Sequence, residues 1–152
     1  MERLTDVLGH FATGVVVVAA RTPGNRRPAA STVRSFASLS LDPPLVLLCV
    51  PHTSTAWPAV ERAGRFGVSV LAEEHRALAA GDDPLADAHW TAGPGAAAHV
   101  EGALATLDCA VHAVHEAGDH LVVTARVLGL DARPDGLPLL SYRSDYTTGV
   151  FS

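Results

Sequence analysis

Apolar residues recur along this chain in two rhythms, and the slower one comes first. Leu4, Val7, Leu8 and Phe11 follow the i, i+3, i+4, i+7 spacing of a helix face. Gly14 ends that pattern, and residues 15–20 are a β-branched run that reads as a buried strand. Residues 22–28 hold Pro, Gly and Asn and predict a turn. Residues 29–40 alternate small, polar and apolar side chains, which predicts one strand ending at Leu41-Asp42-Pro43-Pro44, where prolines stop ladder pairing. Residues 45–50 predict another apolar strand. Thr53 or Ser54 is placed to cap a helix carrying Trp57, Val60 and Ala63 on one face.

The second half repeats the strand rhythm. Residues 65–71 read as a strand, 73–80 as a short helix, and 81–97 as a loop rich in Gly, Pro, Asp and Ala. Residues 100–115 are strand-like with a bend at Gly102 or near Leu107. Ala117-Gly118-Asp119 is a hairpin-type turn, followed by strands over 121–130 and 137–142. About six or seven strands with short connections and two or three short helices predict an antiparallel barrel rather than a βαβ sheet.

Composition narrows the function. The 152 residues fit one domain, 1–152, and 48% are hydrophobic, enough for a core and against disorder. The formal net charge is −5, and Arg26-Arg27 is the only local basic cluster, so a nucleic-acid partner is disfavoured. Two cysteines, Cys49 and Cys109, are too few for a disulfide scaffold and read as buried thiols. A signal-peptide pattern and an apolar run of about 18 residues are both missing, so the expectation is a cytoplasmic protein with no membrane partner.

Several motifs suggest chemistry and fail on spacing. Gly93-Pro-Gly95-Ala-Ala-Ala98 formally matches a dinucleotide fingerprint, but it follows a polar loop and precedes a strand. Cys109, His112 and His115 resemble metal ligands, yet strand alternation points Cys109 and His115 one way and His112 the other, so no metal site is expected. Asp119 and His120 are adjacent, and neighbours in an extended chain face apart, so an Asp–His pair is not expected there. The richest polar segment runs from Ser31 to Pro44. Its hydroxyls, strand-edge amides and Arg34 can bind a polar ring or a phosphate. His52-Thr53-Ser54-Thr55 adds hydroxyls at the start of a predicted helix, where they either cap it or hold an anion.

Five blocks, in order, resemble a known family. They are Phe11-Ala-Thr-Gly14 with its valine run, Ser35-Phe-Ala-Ser-Leu-Ser-Leu-Asp-Pro-Pro44 running on to Val50, and Gly64-Arg-Phe-Gly-Val-Ser-Val-Leu71. Gly118-Asp-His120 and Pro138-Leu-Leu-Ser-Tyr-Arg-Ser-Asp-Tyr146 complete the set. The chain resembles the flavin reductase-like domain family, the reductase components of two-component flavin monooxygenases. The likeness implies a mainly β split barrel of Greek-key type with a few short helices, built as a homodimer. It implies FMN or FAD as flavin and NADH or NADPH as hydride donor. Reduced flavin then diffuses to a partner oxygenase.

By the same resemblance the flavin lies along Thr32, Val33, Arg34 and Ser35, with its ring near Ser38 and the Ser40–Pro44 turn. Its phosphate sits by Ser54 and Thr55, with backbone help from Cys49, Val50, Pro51, His52 and Thr53. His120 matches a histidine near the nicotinamide, and Arg143 and Tyr146 match a C-terminal segment that approaches the cofactors. The chain departs from the family at Ser69, where Asn is frequent, and at Ser141, where an aromatic is usual. It departs again at Ala80-Gly81-Asp82-Asp83, where a phenylalanine covers the flavin. The alternative reading is a member of the same barrel family that is not a reductase and holds flavin, haem or a small metabolite. A deazaflavin-dependent enzyme of similar shape is a third.

Overall fold

A computed structural model describes residues 2–148. The chain opens with helix α1 (Glu2–Leu8), then strands β1 (Thr13–Gly14), β2 (Val16–Ala20), β3 (Ala29–Val33), β4 (Phe36–Leu41) and β5 (Pro44–Pro51). Helix α2 (Trp57–Ala63) leads to β6 (Arg65–Val70), a 3₁₀ turn (Glu73–His75) and helix α3 (Arg76–Ala79). Strands β7 (Trp90–Ala92), β8 (Ala98–Val100), β9 (Ala105–Ala117), β10 (His120–Ala132), β11 (Leu139–Tyr142) and β12 (Asp145–Thr148) follow.

The main sheet has the order β3-β2-β6-β9-β10-β5-β4, every pairing antiparallel. Its two terminal strands, β3 and β4, are consecutive in the chain and are not paired with each other, so the barrel is split there. The segment read as one strand over 29–40 is two. β3 pairs with β2, the chain bends at Arg34-Ser35, and β4 pairs with β5. At the bend the Cys49 N–H donates to the Ser35 carbonyl at 3.0 Å. Pro43 and Pro44 do not end the pairing. Asp42 and Pro43 make a tight hairpin, and β5 starts at Pro44, opposite Leu41.

The unbroken apolar run in β2 has a plain cause: both of its faces are covered. Val16, Val18 and Ala20 join the barrel interior with Leu48, Phe66 and Val123. Val15, Val17 and Ala19 turn the other way into a second core with Leu71, Val100 and Leu139. From α2, Trp57 closes one end of the barrel, edge-on to Phe66 at 6.2 Å between ring centres. Phe66 is fully buried, worth about 2–3 kcal/mol.

Not every element matches expectation. The predicted loop over 81–97 contains β7, which pairs with β8. The predicted bend at Gly102 is present, separating β8 from β9 with Gly102 at φ 80°. A C-terminal hairpin, β11–β12, docks on β1 as a separate three-stranded sheet. The helical spacing of Leu4, Val7, Leu8 and Phe11 does yield α1, but the helix stops at Leu8 and all four side chains are exposed.

Candidate functional site

The bend at Arg34-Ser35 opens a cleft of about 720 Å³ between residues 11–16, the bend itself and the outer face of β5. Cofactor sites are commonly about 300–1,000 Å³. Its walls are mainly apolar: Phe11, Val15, Val16, Phe36 and Leu47 contribute, with Cys49 at one side. Polar groups are few. Thr13 Oγ1 is buried with no hydrogen-bond partner among the described residues. Arg34, exposed at the rim, donates to Ser141 Oγ at 3.3 Å and so ties the bend to β11. The Ser141 hydroxyl is the acceptor of that bond, which gives the Ser141 departure a structural role.

Register extends the cleft along the sheet. On β5, Leu48 and Val50 turn into the core, while Cys49 and Pro51 face outward. Opposite them on β10 stand Val122 and His120, and cross-strand partners share a face. The cleft therefore continues through Cys49 towards His120. The loop after β5 meets the same place. The His52 N–H donates to the Asp119 carbonyl at 3.0 Å, and His52 Nε2 lies 2.9 Å from Glu116 Oε2.

Asp119 and His120 do pair, against expectation, with His120 Nδ1 2.7 Å from Asp119 Oδ1. Strand alternation does not govern them, because the hairpin turn falls between Ala117 and His120. The carboxylate accepts, so Nδ1 carries the proton and Nε2 of the neutral ring is left as the acceptor. The hydrogen bond from His120 is the main cause that holds the Asp119 carboxyl below its ordinary range.

Ser54 Oγ accepts the Trp57 N–H at 3.2 Å, the cap expected of a hydroxyl there, although Ala56 is the residue that begins the helix. Its own O–H remains available to donate. Thr53 and Thr55 are exposed.

The structure brings Arg34, Ser35 and Cys49 to the cleft, and Pro51, His52 and His120 to its extension. Val33 and Val50 are core residues, so only their main chain is available to a ligand. Thr32 is half-buried opposite Val17 on β3, a terminal strand with one row of N–H and C=O groups outside the ladder. Ser38 is exposed further along β4. Arg143 and Tyr146 do not line the cleft. Arg143 forms the β11–β12 turn with Ser144, both at positive φ (51° and 64°), and its N–H donates to the Gly9 carbonyl at 2.9 Å. Tyr146 packs against the second core. Phe11, Thr13 and Leu47 were missed as lining residues; the Phe11–Gly14 block was visible, but helical spacing absorbed Phe11.

The rejected motifs resolve physically. Residues 93–97 are the connection of the β7–β8 hairpin and Ala98 opens β8, with no helix behind them. In β9 a bulge at His112 resets the alternation, since Val111 pairs with Ala125 and Ala113 with Thr124. His115 therefore faces away from Cys109 rather than with it. Cys109 lies in the core, where burial pushes its thiol up to about 12.

Around the cleft, among the described residues, no nucleophile is set against a base. The cleft offers shape, an apolar lining and a polar rim. A cleft of this shape and lining suits a flat cofactor that would carry the chemistry itself.

The chain belongs to the flavin reductase-like domain family, whose profile matches residues 8–149. It is 42% identical to the reductase subunit HsaB of a flavin-dependent monooxygenase from Rhodococcus jostii, over 96% of this chain and 76% of the relative. Nitrilotriacetate monooxygenase component B from Mycobacterium thermoresistibile superposes with a TM-score of 0.89 at 40% identity, covering 97% of this chain and 85% of that one. The NADH:FAD oxidoreductase SgcE6 from Streptomyces globisporus, solved with NAD and FAD fragments, gives 0.86 at 30% identity over 99% and 92%.

Proposed function

We propose that this protein is an NAD(P)H-dependent flavin reductase that reduces FMN or FAD and releases the product to a partner monooxygenase. The observation that carries the reading is the continuous surface from the Arg34-Ser35 cleft, past Cys49, to the loop beside His120. When bound, the flavin supplies the hydride acceptor and the nicotinamide supplies the hydride.

The chain's own part is placement. Phe11, Val16 and Leu47 hold an apolar ring system and exclude water from its face. The main chain at Ser35 offers hydrogen bonds at the ring edge, where negative charge builds on reduction. Ser54, Thr55 and the Thr53 amide bind the ribityl phosphate. His120, its Nδ1 fixed by Asp119, presents Nε2 to the nicotinamide and positions it at near-contact distance. No side chain is required to move a proton.

A second copy covers the exposed apolar surface. Leu41 (90% exposed) on β4 and Leu130 (76%) on β10 stand out from the sheet with Leu39 and Leu128, and α1 adds its bare stripe. Sedimentation equilibrium should return twice the chain mass, and a monomer at micromolar concentration overturns this. A cytoplasmic location accords with two unpaired cysteines and is checked by cell fractionation. No described helix is long and apolar enough to cross a membrane.

The decisive assay follows NADH and NADPH oxidation by purified protein with FMN or FAD added. Saturable acceleration by flavin is expected. No acceleration with either flavin and either nucleotide refutes the reductase and leaves the non-reductase member.

A further inference from the structure

The cleft at the Arg34-Ser35 bend carries a single charged side chain. Among the described residues that line it there is no Asp, Glu or His, and Arg34 is its cation. The chain has sixteen carboxylate residues, and Arg34 pairs with none of those described. It reaches instead to the hydroxyl of Ser141, a buried residue on β11, at 3.3 Å. Ser141 stands opposite Thr13 in the β1–β11 pairing, and Thr13 belongs to the cleft wall formed by residues 11–16. The arginine therefore runs from the bend to the edge of another wall and holds its positive charge across the rim. The bond to Ser141 occupies Nη1 and leaves the rest of the planar fork without a partner among the described residues.

A cation held in this way discriminates between ligands that differ in charge. The oxidised flavin ring is neutral. On reduction the nicotinamide C4–H bond breaks, both electrons travel with the hydrogen, and an N–H bond forms at flavin N5. The nicotinamide ring is left with one positive charge. The flavin ring gains one negative charge, shared over N1 and the C2 carbonyl. Attraction between opposite charges strengthens as the dielectric falls, so it is greater against apolar walls such as Val16 and Leu47 than in open water. A guanidinium fork also matches two neighbouring acceptors in one plane.

We propose that Arg34, braced by Ser141, is the residue that distinguishes reduced from oxidised flavin: its guanidinium pairs with the negative edge of the reduced ring and raises the potential of the bound flavin. The proposal rests on the reading of the cleft as the flavin site, and it adds how firmly the product is held before release.

The test is made at equilibrium and needs no turnover. Kd for FMN is measured in the oxidised form by fluorescence titration and, without oxygen, in the dithionite-reduced form. Wild type is compared with Arg34→Met, Arg34→Lys and Ser141→Ala, and a circular-dichroism melt reports that each variant is folded. Arg34→Met should weaken binding of reduced FMN about tenfold more than that of oxidised FMN, which lowers the potential of the bound flavin by about 30 mV for a two-electron couple. Arg34→Lys keeps the charge and should restore most of the ratio. Ser141→Ala keeps the arginine but frees it from the rim, and should give a smaller change of the same sign. A side chain with a merely structural role weakens both oxidation states alike, and such an equal loss overturns the proposal. Unchanged constants in Arg34→Met also overturn it. The same titrations with riboflavin separate ring from phosphate: the change in ratio should persist. A loss seen with FMN and absent with riboflavin overturns the proposal and gives Arg34 to the phosphate. A redox ratio that depends on Arg34 in a protein that does not oxidise NADH upholds the proposal and refutes the reductase. Flavin-stimulated NADH oxidation with a ratio indifferent to Arg34 does the reverse.

Discussion

Replacing Gly67 with alanine should be among the most damaging small changes in this protein. Gly67 sits in mid-β6 and has no left-handed backbone, so the effect is one of space alone. An added Cβ would lie 2.6 Å from His99 Cε1 and 2.8 Å from His99 Nδ1, and closer still to the Ala98 carbonyl oxygen. None of these atoms is free to move. Ala98 and His99 belong to β8, and His99 Nε2 bonds Asp108 Oδ1 on β9 at 2.7 Å. Ser69, next on the same face of β6, accepts the Val100 N–H at 2.9 Å and lies 3.5 Å from His99 Nδ1. Overpacking a tight core costs about 1–3 kcal/mol. Displacing β8 also strains a buried hydrogen bond worth about 1–3 kcal/mol when its partner is stranded. The sum, about 3–4 kcal/mol, lowers Tm by about 10 °C for a chain of this size. The assay is a thermal melt by circular dichroism or calorimetry, run with His99→Ala and the double variant. Removing the ring relieves two of the three contacts, so the double variant should be less destabilised than the two single losses added together. A Gly67→Ala Tm within about 2 °C of wild type, or strict additivity in the cycle, refutes the close packing of β6 on β8.

Three further outcomes follow from the site and the core. Ser35→Trp places an indole in the cleft at an exposed position, so the melt should barely move while flavin binding is lost; normal flavin affinity would detach the bend from the ring site. His120→Ala should raise the apparent KM for NADH more than it weakens flavin binding, and unchanged NADH kinetics would remove His120 from the nicotinamide. Cys109 has a folded value raised from 9.0 to about 12 by burial, so the unfolded chain ionises first. Its contribution is intact below about pH 9 and lost above it, reaching about 1.4 kcal/mol at pH 10. Denaturant titrations at pH 7 and 10 should show that loss in wild type and a smaller one in Cys109→Ala; equal losses would place Cys109 outside the core.

The Ser69 and His99 network shows how far sequence reasoning reaches. The departure from asparagine at position 69 was visible, but its consequence was not. The serine hydroxyl serves the Val100 amide only because β8 folds back across β6. The departure at Ser141 is of the same kind, since Arg34 is 107 residues away along the chain.

Local pattern determined the order of strands, the turns at Gly102 and Gly118, the capping serine before α2, and the five blocks that mark the family. These depend on backbone propensity and on neighbours within a few residues, which the chain carries everywhere it goes. Only the tertiary structure decided the rest. It split residues 29–41 at Arg34-Ser35, because pairing passes there from β2 to β5. It reset alternation at His112 through a bulge imposed by β10. It joined Asp119 to His120 across a turn, and it drew arginines from positions 21, 27 and 62 around one cavity. Each of these depends on which strand lies alongside which, and periodicity along one strand holds no information about its partner's register.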